Sequence, residues 1–225
     1  MEKKAKIIAT LGPAIYSRNK LKQLVNLGVD AFRINFSHNT NGIGKIVTKI
    51  RNIEKSTRKK ISLIADLQGV KLRIGIIKNE SQKIKFNQKF IFDNKIEIGD
   101  DKRVTFAYPK ILKKLKKGNK ILIDDGKFIF IVTKIIGNSV VTVCKSQNCF
   151  IKSNKSVHIQ NVDITFNKLT IKDKKDIKSA IKLGCNWIAL SYIQNEKLIL
   201  EARKIINKDM GIISKIENKH ALKNI

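Results

Sequence analysis

An arginine, an asparagine and a serine stand two residues apart in Phe32-Arg33-Ile34-Asn35-Phe36-Ser37-His38. The period of two of an extended chain puts Arg33, Asn35 and Ser37 on one face and Phe32, Ile34 and Phe36 on the other. The apolar face packs, and the polar face is left for chemistry. A guanidinium aimed inward from a buried strand is costly unless something anionic meets it, so this segment predicts either an anionic ligand or a core carboxylate at Arg33. The same pattern recurs downstream. Asp66 directly follows an apolar run at 61–65, Ser191 ends the run 187–191, and Lys215 and Glu217 share a face at the end of the run 212–217. Polar groups therefore gather at one set of strand ends, the C-terminal face on which barrel enzymes carry their catalytic residues.

The elements needed to hold those residues follow from hydrophobic spacing. Residues 6–11 read as a strand closed by Gly12-Pro13, and Ser17 as the N-cap of a helix whose apolar face is Leu21, Leu24, Val25 and Leu27 and which stops at Gly28. A strand at 31–36 follows, then a helix carried by Ile43, Ile46, Val47, Ile50 and Ile53, then a buried strand at 61–65. Strand, helix, strand, helix, strand implies parallel pairing with right-handed crossovers. From 70 to 157 the pattern changes to strands alone, with turns at Lys78-Asn79, Gly99-Asp100, Asp125-Gly126 and Gly137-Asn138 and one basic helical stretch at 110–117. The βα rhythm then resumes, with a helix at 172–183 stopped by Gly184, a strand at 187–191, a helix around 197–206 and a strand at 212–217. The expected fold class is α/β, a partial (β/α)8 TIM-type barrel with five of eight strands and an inserted all-β domain. The expected boundaries are 1–69 for the first part of the barrel, 70–157 for the insertion and 158–225 for the second part.

The chain has 225 residues, with 47 Lys+Arg against 18 Asp+Glu and a formal net charge of +29. Such a balance invites phosphate-backbone binding. The kind of base argues otherwise: 40 are Lys and 7 are Arg, whereas base-edge contacts favour the planar Arg fork. With 39 Ile and 20 Asn beside them, the lysines fit a genome rich in A/T codons better than selection for a nucleic-acid partner. Cys144, Cys149 and Cys185 are odd in number and lack C-x2-C spacing, so they read as reduced structural thiols. No apolar run approaches the ~20 residues of a membrane helix, and the expected location is the cytoplasm.

Three segments, Ala31-Phe32-Arg33-Ile34-Asn35-Phe36-Ser37-His38, Ala65-Asp66-Leu67-Gln68-Gly69 and Ile213-Ser214-Lys215-Ile216-Glu217-Asn218, resemble motifs of the pyruvate kinase family. Their order and spacing agree with that family. Thr10-Leu11-Gly12-Pro13-Ala14 is similar to its first strand end, Leu122-Ile123-Asp124-Asp125-Gly126 to a segment of its mobile β domain, and Ala189-Leu190-Ser191-Tyr192 to its fourth strand. The resemblance covers the whole chain but only the front half of the family's.

The resemblance implies transfer of a phosphoryl group between phosphoenolpyruvate and ADP, giving pyruvate and ATP in glycolysis. It assigns Lys215 to the transferring phosphoryl group, Arg33 and Arg73 to phosphate oxygens, and Ser191 to the substrate site near Lys215. Glu217 matches a ligand of magnesium (or manganese). Asn35, Ser37, Asp66 and the Leu67 carbonyl match the oxygen ligands of a monovalent cation, potassium. His38 and Lys155 match nucleotide-contacting positions. The sequence departs from the pattern at Val70, where the family has Pro, at Asn39, where it has Gly, and at Lys155-Ser156-Val157-His158-Ile159-Gln160-Asn161, which replaces Gly, Asn, Pro and Gly of a Lys-Gly-Val-Asn-x-Pro-Gly hinge. These changes alter the backbone angles the hinges can reach. The family's next strand, with a second metal-binding Asp, and its C-terminal domain have no counterpart here. The expectation is a truncated pyruvate kinase-like chain inactive alone, or a non-catalytic remnant or half-protein acting only with a separately encoded C-terminal half; the partners it allows are that complementing half or a homo-oligomer.

Overall fold

Apolar residues at every second position, then at every third or fourth, build alternating strands and helices through the first third of the chain. The computed structural model describes residues 5–38, 41–206 and 209–225. In chain order the elements are β1 (Ile8–Thr10), a 3-10 turn (Pro13–Ile15), α1 (Arg18–Asn26), β2 (Ala31–Asn35), α2 (Ile43–Thr57), β3 (Ser62–Asp66), β4 (Ser81–Ile84), β5 (Lys89–Asp93), β6 (Arg103–Thr105) and α3 (Pro109–Leu112). There follow β7 (Lys120–Ile123), β8 (Phe128–Ile136), β9 (Ser139–Cys144), β10 (Cys149–Lys152), β11 (Val157–Gln160), α4 (Ile171–Lys182), β12 (Trp187–Leu190), α5 (Glu196–Arg203), β13 (Gly211–Ser214) and α6 (Lys219–Lys223). The chain divides into two units, Met1–Val70 with Thr165–Ile225, and Lys71–Ile164.

The first unit is a five-stranded sheet in the order β1-β2-β3-β12-β13, every neighbouring pair parallel. This is a partial (β/α)8 barrel. One face of the sheet packs against helices: Phe32, Ile34, Leu63, Ala65, Ile188 and Leu190 join Leu21 and Val25 of α1, the five expected residues of α2, Ile177 of α4 and Ala202 of α5. Ser17 caps α1 by accepting the Lys20 N–H, as its position predicts. Leu27, assigned to the apolar face of that helix, is instead 79% exposed, because the helix ends at Asn26 and Leu27 is its C-cap. The opposite face of the sheet carries a small apolar patch of Ala31, Ile64, Ala189 and Ile213, with the charged residues beyond it towards the C-terminal strand ends.

The second unit holds a six-stranded sheet, β11-β7-β8-β9-β5-β6, and the antiparallel pair β10-β4. Phe90, Phe92 and Phe130 fill its core with ring centroids 5.3 to 5.5 Å apart. The expected basic helix at 110–117 shrinks to the single turn of α3, which begins at Pro109. Val157–Gln160 forms a strand paired with β7, so the unit runs on past 157 to Ile164. Its two terminal segments pair with each other: Arg73 bridges antiparallel to Ser156, the Ile74 N–H donates to the Lys155 carbonyl at 3.0 Å, and the Val157 N–H donates to the Leu72 carbonyl at 2.9 Å.

Candidate active site

Parallel register sets the site. Thr10 is the cross-strand neighbour of Arg33, Asn35 that of Asp66, and Asp66 in turn that of Ala189. The strands stop at Thr10, Asn35, Asp66, Leu190 and Ser214, so their ends line up and the polar residues meet at one edge.

Asp66 is the centre of the cluster, its side chain 4% exposed. Arg33 donates to Asp66 Oδ2 from Nε at 2.7 Å and lies 2.6 Å from it through Nη2, while Nη1 donates to Thr10 Oγ1 at 3.1 Å. From the far side of the sheet, Lys215 Nζ donates to Asp66 Oδ1 at 3.2 Å and to Ser191 Oγ at 2.8 Å, and lies 3.3 Å from Glu217 Oε1. The Ser191 hydroxyl donates to the Leu67 carbonyl at 2.6 Å. Glu217 Oε2 accepts the Tyr192 N–H at 2.8 Å, and Tyr192 holds a left-handed φ of 55°. The core carboxylate that Arg33 called for is thus Asp66. The side chains of Arg33 and Lys215 remain 32% and 30% exposed, so both cations also face solvent, where an anion can reach them.

Asn35 and Ser37 lie at the end of β2, with the Ser37 N–H donating to Asn35 Oδ1 at 3.0 Å. His38 follows them, exposed, its N–H on the Asn35 carbonyl; Asn39 lies outside the described residues. Arg73 and Lys155 belong to the second unit. There Arg73 donates to the Asn154 carbonyl at 2.7 Å, and Lys155 pairs with Asp124 at 2.7 Å. The altered hinge motif has its own hydrogen bonds: the Ser156 hydroxyl donates to Asp125 Oδ1 at 2.7 Å and accepts the Asp125 N–H at 2.9 Å. The Ser156 hydroxyl, followed by Lys71, holds the Asp125 carboxyl below its ordinary value. Asn161, in place of the final Gly, keeps a left-handed φ of 58°, a conformation Asn adopts more readily than most residues.

Two kinds of residue escaped sequence reasoning. Thr10 and the backbone of Tyr192 contribute through cross-strand neighbours that no spacing reveals. Lys172 and Asp173 sit in a T-x-x-D capping signature at 170–173, which is legible, but its reach into the strand ends is not.

Asn35, Ser37, Asp66 and the Leu67 carbonyl offer oxygen only, which suits a hard cation, and an ion there would share Asp66 with Arg33 and Lys215. Among the described residues no three His, Cys, Asp or Glu cluster as a metal site. Glu217 is a single carboxylate, which fits magnesium's habit of taking one or two protein carboxylates and completing its shell with water and substrate phosphate.

Five parallel strands backed by helices, with Arg33, Asp66, Ser191 and Lys215 at their C-terminal ends, define the class as a partial (β/α)8 barrel domain. The family model described as "Pyruvate kinase, barrel domain" matches residues 2–225, and the chain belongs to the pyruvate kinase family. It is 33% identical over 221 residues to a pyruvate kinase of Methylorubrum extorquens, covering 98% of this chain and 46% of that one. A pyruvate kinase of Clostridium perfringens is 31% identical over 99% of this chain and 48% of its own. The crystal structure of a pyruvate kinase from Cryptosporidium parvum superposes with a TM-score of 0.88 at 25% identity, over 97% of this chain and 47% of that one. The chain therefore spans about half the length of these relatives. No helix among the described residues is long and apolar enough to cross a membrane.

Proposed function

We propose that this chain forms the phosphate-binding half of a pyruvate kinase-type site, which transfers a phosphoryl group between phosphoenolpyruvate and ADP. The convergence of Arg33 and Lys215 on the same buried carboxylate, that of Asp66, with both cations still open to solvent, carries this reading. The transition state of phosphoryl transfer spreads negative charge over three oxygens, and fixed cations that need no reorganisation stabilise it. Lys215 Nζ donates to both Asp66 oxygens and to Ser191 Oγ, and lies 3.3 Å from Glu217 Oε1 as an ion pair. An incoming phosphoryl oxygen displaces Glu217, the most exposed of these neighbours, and takes its place beside the ammonium. Arg33 keeps Nε on Asp66 and presents the outer edge of its guanidinium to a second phosphate oxygen. Ser191, held by Lys215 and the Leu67 carbonyl, lines the substrate side. Glu217, once released, would hold magnesium, and Asn35, Ser37, Asp66 and Leu67 would hold potassium; these ions supply positive charge on the phosphate oxygens. Arg73, His38 and Lys155 are proposed as further phosphate and nucleotide contacts.

The test is Lys215→Met in the chain combined with the C-terminal half of a relative. Phosphoryl transfer to ADP is expected to fall by at least about a hundredfold, with phosphoenolpyruvate binding still measurable by calorimetry. Unchanged turnover would overturn the role of Lys215.

A second reading is a non-catalytic half that works only with a C-terminal half, whether supplied by the same chain or by another; sheet edges with one partner strand accommodate either. Among the described residues β1 and β13 each pair on one side only, and Ile8 in β1 and Ile216 just past β13 are exposed. A complementing half is expected to co-elute with this chain in size-exclusion chromatography, and a failure to associate argues against that reading.

A further inference from the structure

The first turn of α4 touches both loops that follow β2 and β3. Lys172 Nζ donates to the Phe36 carbonyl at 2.7 Å, between Asn35 and Ser37, and its charge is matched by Asp176 at 2.5 Å. One residue on, Asp173 Oδ1 accepts the Gly69 N–H at 3.1 Å, two residues beyond Leu67. Asp173 is 2% exposed and, among the described residues, pairs with no Lys or Arg. Its other oxygen accepts the Thr170 hydroxyl at 2.7 Å, and its N–H donates to Thr170 Oγ1 at 2.9 Å, which completes a capping box.

A capping box satisfies the end of a helix by itself and has no need of burial or of a third segment. A buried carboxylate, in contrast, must find donors to replace water, and here one of them comes from the Gly69 loop. That loop has little room to shift. Gly69 has a φ of +65°, and a Cβ there would stand 2.4 Å from the Ser191 carbonyl oxygen, so the backbone of the loop presses on the end of β12. The Phe36 N–H on the Asp66 carbonyl (2.9 Å) and the Leu67 N–H on the Ala189 carbonyl (2.9 Å) join the same loops to one another.

We infer that Lys172 and Asp173 are positioning residues. Lys172 fixes the 35–37 loop and Asp173 the 67–69 loop, and together they set where the Leu67 carbonyl meets the Ser191 hydroxyl and how Asn35 and Ser37 face the site. The consequence for ligands rests on the phosphoryl-transfer reading; the bracing itself does not.

Amide hydrogen exchange on the 225-residue chain separates bracing from simple helix capping. Thr170→Ala removes the cap hydrogen bond but keeps the carboxylate, whereas Asp173→Ala removes both. Exchange at Gly69 is expected to accelerate about tenfold or more in Asp173→Ala and by less than about threefold in Thr170→Ala. Equal acceleration in the two would mean that Gly69 only follows fraying of α4, and would overturn the role of Asp173. Lys172→Met leaves the cap intact and is expected to speed exchange at Ser37 while amides of β12 stay unchanged; an unaltered Ser37 overturns the role of Lys172. Phosphoenolpyruvate titrated into the wild type and Lys172→Met, followed by 31P line broadening, is expected to bind the variant several-fold more weakly. Equal binding overturns the link to the ligand site, and no binding to the wild type counts against the phosphoryl-transfer reading while the exchange data still decide the bracing.

Discussion

Asp66 neutralises two cations that reach it from the two flanks of β3, Arg33 from β2 and Lys215 from beyond β13. Deleting its carboxylate leaves two positive charges facing each other in a partly buried place. Asp66→Ala is expected to cost about 2 kcal/mol, less than a fully buried pair would because both partners reach solvent. A urea unfolding midpoint equal to wild type would show that the cations simply turn outward. The cysteines invite a different measurement. Cys144, Cys149 and Cys185 are all buried and free. Burial pushes the Cys185 thiol up to about 11, and burial, followed by the neighbouring Cys144, pushes Cys149 up as well. Burial keeps the reagent from all three, and at Cys149 and Cys185 it also disfavours the reactive thiolate, so an aromatic disulfide reagent at pH 8 is expected to label none of them quickly in the native protein and all three at once in guanidinium. A single fast thiol in the native protein contradicts this.

At the scale of elements, apolar spacing was informative wherever one face of a helix met one face of the sheet. Ile43, Ile46, Val47, Ile50 and Ile53 are all buried in α2, and the parallel order β1-β2-β3-β12-β13 follows the strand-helix rhythm once the interruption is removed. What spacing could not supply was partnership between strand ends. The alternation in β2 showed that Arg33 needed an anion, but that Asp66 would meet it depended on the register of β2 against β3. The extent of β11 was also hidden, since a hinge motif stripped of Gly and Pro carries no turn signal and its backbone is free to join a ladder. One element contact is open to titration. Glu201 of α5 accepts the Leu169 N–H at 2.7 Å and pairs with Lys174 at 2.6 Å, fastening the start of α4. The Lys174 ammonium, then the Leu169 N–H, hold its carboxyl below the usual 4.5. A depressed folded value means that the contribution is complete above pH 4.5 and disappears as pH falls through the lower folded value. Glu201→Gln is therefore expected to lose less stability than wild type between pH 7 and pH 3. Parallel losses in the two would remove Glu201 from the account.

At the scale of the molecule, a charge of +29 acts against compactness through self-repulsion. Raising sodium chloride from 20 mM to 500 mM is expected to raise the melting temperature by several degrees, because exposed lysines more than a Debye length apart are then screened from one another. A lower melting temperature in salt would place more weight on pairs such as Lys6 with Asp30 and Lys174 with Glu201 than on the overall excess. The short ladder between residues 72–74 and 155–157 has a consequence for the order of folding. Strand β12 must find β3 across an excursion of more than a hundred residues; Leu63 and Asn186, hydrogen-bonded at 2.9 Å, are 123 apart in sequence. If the inserted unit folds first, its ladder ties the excursion at the base and leaves only some 35 residues of free chain to close, a saving of roughly 1 kcal/mol of closure entropy. Strands β1 to β3 then form from near neighbours, and β12 and β13 join late. Arg33 and Asp66 come from the early half of the sheet and Ser191 and Lys215 from the late half, so the charge cluster is completed only as the last seam of the sheet closes.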